Sequence, residues 1–585
     1  MQNLWSEQQA SQFEDDLDLR VYTSRLLGKE ENLVMHGGGN TSVKISQNNF
    51  FGEKEELLYV KGSGWDLISI EKPGFAPVKM DALLKMSNLE QLSDLDMVEQ
   101  QRAAMTNPSA PTPSVEAILH AIIPFKFVDH THADAVVAIS NTKNGNEEIK
   151  KVYGDRLIII PYVMPGFILA KCIKDLTKDI NWHDYEGMIL MNHGIFTFSD
   201  SAKESYELMI KLVSEAETHI EKARAYDTLS SKEEEPDLLQ LIQIRKEVSI
   251  LRGRPSLASL DQSQKACGYS SIDNVSAHSK RGTLTPDHVI RIKPFPLIID
   301  GDPKKNLHEY KNQYMEYFNK NSDGSQKALD CAPRWGVWPG KGLISFGQTK
   351  KECSIISDII KHNTQAMQIS DQLSGWQTIS QNELFEVEYW SLEQAKLGKS
   401  SSQPELQGKV AVILGNQIEL VSAIAHSLSN KGAAVAVVSS SQDLVSAIIE
   451  SGFLAFECDI QNGQEVKQSI EKMLIQFGGL DIVVNLNKLL AESQIDSLLP
   501  YIQEGINPCL IDIKSNSTHE GISFSENSAP SNKISYAGIR HSLLSYSENN
   551  LKEKTEQLGS LVAYIAIQPE VDDAQVITQL KTSND

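Results

Sequence analysis

Three histidines and one glutamate carry the chemistry this sequence offers. Asp129-His130-Thr131-His132 sets two imidazoles two residues apart. His193 follows in Met191-Asn192-His193-Gly194, and Glu116 precedes them in Pro113-Ser-Val-Glu116. Lys126 to Ser140 is rich in Val, Phe, Ile and Ala without a helical period and reads as a strand. Residues i and i+2 of a strand share a face, so His130 and His132 project together and could grip one cation. Gly187 to Met191 reads as a neighbouring strand that delivers His193. Three imidazoles with one open position describe a catalytic zinc site, although imidazole also suits other transition metals. Glu116 opens a helical-looking stretch to Ile123 and could enter the same site as acid or base. The competing reading is three satisfied histidines near a core. A lone His-x-His would favour it; Glu116 and His193 shift the balance toward metal.

The elements that must position these residues come before and after them. Leu17 to Leu27 has helical spacing. It leads to His36-Gly-Gly-Gly-Asn40-Thr41-Ser42, whose backbone N–H groups and hydroxyls could face an anion or make a plain hairpin turn. A second glycine/hydroxyl loop, Lys61-Gly-Ser63-Gly64, follows the strand Leu57 to Val60. Neither fits the Walker A pattern. Together they suggest a phosphorylated or enediolate-bearing ligand beside the metal. Ser201 to Ala225 has an apolar helical face and closes the first domain. The charged stretch Leu229 to Asp237 reads as a linker, followed by a helix from Leu238 to Leu251. From there to about residue 395 no catalytic signature emerges. His288 to Lys293 alternates like a strand, and Gln348 to Gln368 reads as a helix. Arg334, Lys341 and nearby glycines could meet a phosphate, or be turn residues and solvated charges.

Composition bounds the rest. With 585 residues, two to four domains are expected. A formal net charge of −22 opposes nucleic-acid and anionic-membrane partners. The six cysteines form no CxxC pair, so no disulfide frame or cysteine metal site is suggested. No apolar run reaches about 18 residues, and the polar, acidic start is unlike a secretory signal. The expectation is a soluble cytoplasmic protein.

The motifs His36-Gly-Gly-Gly-Asn40, Lys61-Gly-Ser-Gly64, Pro113-Ser-Val-Glu116, His130-Thr-His132 and Asn192-His193-Gly194 occur in order. Together they resemble the class II aldolase/adducin family. The chain is similar, more narrowly, to bacterial fusions of a rhamnulose-1-phosphate aldolase with a short-chain dehydrogenase. Pro161 to Gly166, Thr285 to Arg291 and Glu388 to Lys396 add to that resemblance. It implies that His130, His132 and His193 bind zinc and that Glu116 is the acid/base residue. Asn40, Thr41, Ser63, Gly64 and Ser114 would line the phosphate or substrate oxygens. It further implies cleavage of a ketose 1-phosphate to dihydroxyacetone phosphate and an aldehyde, in a homo-oligomer.

After the Ser-rich stretch Leu397 to Pro404, strands and helices alternate from Gly408 to Asn485, which means a doubly wound parallel sheet. The order resembles short-chain dehydrogenases, with Gly415, Asp459 and Asn485 at matching positions. The NAD chemistry is eroded. Gly415 is followed by Asn-Gln-Ile-Glu-Leu-Val, Glu419 opposes a diphosphate at a helix start, and the Tyr-x-x-x-Lys motif reads Tyr536-Ala-Gly-Ile-Arg540. The expected architecture is α/β. Residues 1–230 form an adducin-like aldolase domain, 231–397 an aldolase-associated middle region, and 405–585 a degenerate dehydrogenase-like domain. That last domain is expected to serve assembly or stability, with altered cofactor use as the alternative. Other readings of the whole are an aldolase or epimerase for another sugar phosphate, a bifunctional enzyme that still oxidises the aldehyde with NAD, and a non-catalytic structural protein.

Overall fold

A computed structural model describes residues 1–585 apart from 233, 399–402, 488, 516–521, 527–538, 547–550 and 569–585. The chain forms two compact units. The first gathers Met1–Thr228, Ala277–Phe295 and Ile359–Gly398; the second gathers Leu229–Ser276, Pro296–Asp358 and Lys399–Asp585. The middle region therefore contributes to both. Among the described residues no helix is long and apolar enough to cross a membrane.

The first unit is built on seven strands: β1 (Asn40–Asn48), β2 (Lys54–Lys61), β3 (Phe75–Lys79), β4 (Phe127–Thr131), β5 (Leu157–Ile160), β6 (Gly187–Leu190) and β7 (Gly194–Ser199). Their order is β3-β2-β1-β4-β7-β6-β5. Every neighbouring pair is antiparallel except β5 with β6. All residues of β4 and β7 are buried, so both faces of the sheet centre are covered. The helix Ala202–Lys222 starts where the Ser201 hydroxyl accepts from the Glu204 N–H. It buries Tyr206, Met209, Ile210, Val213 and Ala216, the stripe that a period of 3.6 requires.

Two expected strands differ from the observed elements. The strand read from Lys126 to Ser140 ends at Thr131, and Asp134–Ser140 is a helix. Ala135 to Ser140 are buried all round, and a fully buried short helix shows no polar face from which its period could be read. His288 to Lys293 is likewise not a strand. Pro286–His288 forms a 3₁₀ turn that runs into the helix Val289–Ile292. Pro286, with its fixed φ and missing N–H, suits that start.

The second unit holds two sheets. The smaller comprises β8 (Leu257–Asp261), β9 (Leu297–Ile298), β10 (Trp335–Trp338) and β11 (Gly342–Gly347), in the order β8-β11-β10-β9. The larger comprises β12 (Val410–Leu414), β13 (Ala434–Ser439), β14 (Leu454–Glu457), β15 (Ile482–Leu486), β16 (Cys509–Ser515), β17 (Ile522–Glu526) and β18 (Arg540–Tyr546). Its order is β14-β13-β12-β15-β16-β18-β17. The pairs are parallel except that β17 runs antiparallel at the edge. This is the doubly wound sheet read from the alternation, with a separate apolar core against each face. Arg245, on the helix Leu238–Arg252, forks onto the Asp481 carboxylate at 2.6 and 3.1 Å with both side chains fully buried. That pair fastens middle-region sequence to the dehydrogenase-like sheet. Arg334 pairs with Asp330, and Lys341 with Glu234.

Candidate metal centre

Strand pairing brings the site together. β1 sets Asn40 opposite His130, and β7 sets Phe196 opposite it on the other side. The His130 ring lies flat on Phe196 with centroids 4.1 Å apart. Its Nδ1 donates to the Ile195 carbonyl at 3.1 Å, which leaves Nε2 buried with no hydrogen-bond partner. His132 sits just beyond the end of β4. His193 sits in the β6–β7 turn, after Asn192 at φ 61°. The three ring centroids are 5.0–5.2 Å apart. One nitrogen from each ring lies within 4.8 Å of the others. Gly194 permits this approach: a Cβ there would fall 2.4 Å from the Thr131 carbonyl oxygen and 2.8 Å from His130 Cε1. A buried Nε2 without a partner, within reach of two further imidazoles, fits a divalent metal.

Glu116 flanks this cluster. Its Oε2 lies 3.7 Å from His130 Nε2 and accepts from the Asn40 Nδ2 at 2.5 Å. Its Oε1 is buried with no partner. A carboxylate only accepts, so Asn40 presents its amide to Glu116 and its Oδ1 to His120. His120 must then carry its proton on Nε2 and accept at Nδ1 from the Ser42 hydroxyl, 2.8 Å away. The chain Glu116–Asn40–His120–Ser42 has one consistent direction. Burial works to raise the Glu116 carboxyl; His130, His193 and the Asn40 amide outweigh it and hold it at about 2. Burial lowers His130 to about 4 and His120 to about 3. At neutral pH the ionised Glu116 thus faces neutral imidazoles at His130 and His120.

The second glycine/hydroxyl loop meets the Pro113-Ser114 segment, and Lys61 ties it to the first through the Gly37 carbonyl. Gly62 bridges Pro113, the Ser63 N–H donates to the Thr112 carbonyl, and the Ser114 N–H donates to the Lys61 carbonyl. Ser63 and Gly64 are exposed, Gly64 at φ 87° with open space around it. Ser114 Oγ accepts from the Glu116 N–H at 3.3 Å. Thr41 is not brought to this opening. Its hydroxyl is fully buried and bonds the Ser24 hydroxyl at 2.8 Å.

Comparison with known proteins matches residues 19–220 to the class II aldolase and adducin N-terminal domain and 236–397 to the aldolase class II second domain. Residues 409–492 match short chain dehydrogenase. The chain belongs to the class II aldolase/adducin family. An uncharacterized oxidoreductase of Bacillus subtilis, YuxG, is 28% identical over 525 residues, spanning 85% of this chain and 76% of that protein. A solved N-terminal class II aldolase domain of a conserved Thermoplasma acidophilum protein is 42% identical, covering 38% of this chain and 99% of that one, with a TM-score of 0.35. An L-fuculose 1-phosphate aldolase structure is 14% identical, covering 38% and 92%, with a TM-score of 0.25.

In this class II aldolase/adducin chain, the second-domain match supplies groups that motif reading missed. Asp287 Oδ2 lies 3.6 Å from His132 Nδ1. Lys396 pairs with Glu393 and sits within electrostatic reach of Asp287 and Glu116. Lys61, buried and donating to the Gly37 carbonyl at 2.9 Å, is lowered to about 8 by burial and by the Lys396 charge. The available signal was the similarity of Thr285 to Arg291 and Glu388 to Lys396 to the fusion proteins; no residue spacing pointed to either.

In the dehydrogenase-like sheet, Gly415 follows β12, packed so closely on Leu486 that a Cβ would lie 2.4 Å from it. Asn416 reaches across to the end of β13, where its Oδ1 accepts from Ser439 Oγ, the Ser440 N–H and Ser440 Oγ at 2.9–3.1 Å. Asp459 caps its own turn by accepting from the Gln461 N–H. Asn485 donates to Asp512 and accepts from the Leu490 N–H. Arg540 opens β18 and donates to the Ile565 carbonyl at 2.6 Å. Tyr536 lies outside the described residues.

Proposed function

We propose that the first unit catalyses metal-dependent aldol cleavage of a ketose 1-phosphate, rhamnulose 1-phosphate in the first instance, to dihydroxyacetone phosphate and an aldehyde. The observation that carries this reading is the convergence of His130, His132 and His193 beside the unpartnered Oε1 of Glu116. His130, His132 and His193 would hold the ion, for which zinc is the first choice. A divalent metal there would act as a Lewis acid and acidify the substrate hydroxyl, matching it to so weak a base. Glu116 takes that hydroxyl proton at Oε1 while Asn40 holds Oε2 in place. The ammonium groups of Lys61 and Lys396 support an anionic substrate. Ser63, Gly64 and Ser114 would line the phosphate or substrate oxygens, and Asn40 serves Glu116 directly. The test is metal content and dihydroxyacetone phosphate release on one purified sample, for wild type and His132→Ala. Loss of both in the variant supports the reading; cleavage by fully chelated protein sinks it. Metal without cleavage turns the search to other sugar phosphates, by aldol cleavage or epimerisation.

The dehydrogenase-like sheet supports a second, negative reading: it serves assembly rather than NAD-dependent oxidation. The residues present do not fit a dinucleotide. Asn416 fills the space at the end of β13 where an acid would meet the ribose, and Glu419 stands in the first turn of the helix that would face the diphosphate. Saturable NAD binding to the full-length protein would overturn this. Light scattering of the same sample tests the expected homo-oligomer.

A further inference from the structure

The metal centre is supported unevenly. His130 is oriented by a backbone carbonyl, the Ile195 oxygen on its Nδ1. His132 has a carboxylate on the corresponding side of its ring, Asp287 Oδ2 at 3.6 Å from Nδ1. On that side Gly38 comes close too, since a Cβ there would be 3.4 Å from His132 Nδ1. Gly38 and the Asp287 carboxylate thus both stand beside Nδ1.

The segment that carries Asp287 is anchored at Leu284 by hydrogen bonds that start beside the metal centre. Asn192, the residue before His193, donates from Nδ2 to Asn141 Oδ1 at 2.5 Å. Asn141 in turn donates to the Leu284 carbonyl at 2.6 Å. The Leu284 N–H donates to Asn363 Oδ1 at 2.6 Å. Asn141, Leu284 and Asn363 are fully buried. Two residues later Pro286 starts the tight turn that carries Asp287. Behind the turn, Val289 and Ile290 pack with Ile379, Leu384 and Val387. A carboxylate fixed by this much buried structure, and directed at one imidazole, is more than a surface charge.

We propose that Asp287 is a positioning residue of the metal centre. Its charge, 3.6 Å from Nδ1, favours the tautomer that carries the proton on Nδ1 and offers Nε2 to the ion, and it makes the Thr285-Pro-Asp-His segment part of the site. The inference rests on the metal-centre reading above. Carboxylates that orient a ligating imidazole change metal affinity about 10–100-fold when removed. A carboxylate held only for packing changes it little.

The experiment uses the full-length protein as wild type, Asp287→Asn, Asp287→Ala, Asp287→Glu and His132→Ala. Zinc affinity is read by competition with a chromophoric chelator, and the ligand field by the visible spectrum of the cobalt-loaded protein. Asp287→Asn is close to isosteric and guards against a folding defect, which the melting curve of the metal-free protein checks. The expected result is a roughly 10–100-fold loss of zinc affinity in the Asn and Ala variants, a changed cobalt spectrum, and unchanged metal-free melting. Asp287→Glu, which keeps the charge, recovers part of the loss. Affinity within about threefold of wild type in Asp287→Asn, while His132→Ala loses its metal, overturns this inference and leaves the metal centre standing. Wild-type affinity in His132→Ala overturns the metal centre itself, and Asp287 with it.

Discussion

Breaking the ion pair behind β4 should cost more than any other polar change in the first unit. Arg20, on the helix Asp16–Gly28, meets Asp129 at 2.5 Å with both side chains at 0% exposure. The guanidinium also donates to Thr23 Oγ1 at 2.6 Å and, more weakly, to the carbonyls of Ser42 and Val128. Asp129 accepts from the Ser205 hydroxyl at 2.5 Å. One helix, β1, β4 and the helix Ala202–Lys222 are thus tied at one point, one residue from His130. Asp129→Ala leaves a guanidinium out of water with no counter-charge, a loss of about 3–5 kcal/mol. Arg20→Met strands the carboxylate at similar cost. Arg20→Met with Asp129→Leu removes both charges, and such replacements cost little or even stabilise. The double variant should therefore lie several kcal/mol above the sum of the singles. Calorimetry and urea unfolding of the metal-free chain measure this, with the two units' transitions treated separately. Additive singles, or a loss below about 1 kcal/mol for Asp129→Ala, would refute the reasoning.

Three further outcomes follow from the site. Glu116→Gln should keep its metal and lose about 10²–10⁴-fold in turnover; wild-type rates would remove Glu116 from the chemistry. Gly194→Ala should cost about 1–3 kcal/mol through overpacking and weaken metal binding, since its methyl meets the Thr131 carbonyl and the His130 ring; unchanged chelator competition would count against the packing argument. Metal-free protein should lose stability between pH 7 and pH 5. His120 and His130 stay neutral in the fold, at about 3 and about 4, while the unfolded chain protonates them below about 6.5. Each adds a slope that grows from about 0.3 kcal/mol per pH unit at pH 7 to about 1.4 at pH 5. Glu116, held low, adds to the loss only below about 4.5, where the unfolded carboxyl protonates. A urea midpoint that does not move would contradict this.

Glu116, His130, His132 and His193 were readable because their types are rare together and their spacing has a geometric meaning. His130 and His132 do share a face at the end of β4, although the strand stops at Thr131 rather than Ser140. Periodicity could not locate that stop, because Val136 to Ile139 are buried whether helical or extended. The doubly wound sheet was legible from the alternation of helices with strands such as Val410–Leu414, an uninterrupted apolar run of the kind a sheet covered on both faces requires. Asp287 was not legible. It lies about 150 residues beyond His132, and the contact depends on buried asparagines whose partners no local pattern announces. Thr41 illustrates the reverse error. A hydroxyl beside a glycine run looks like a ligand group, but strand alternation turns it inward to Ser24.

The hydrogen bonds from Asn192 through Asn141 to Leu284 also carry a consequence for synthesis. His130, His132, His193 and Glu116 leave the ribosome well before Leu284, Asp287 and Lys396. At about 5–20 residues per second, the gap from His193 to Lys396 lasts on the order of ten to forty seconds. For the first half of that interval, about 5–20 s, Asn141 lacks the Leu284 carbonyl and His132 lacks the carboxylate beside its Nδ1. The nascent chain therefore holds the three imidazoles before it holds the segment that steadies them, and the finished centre is a late product of translation.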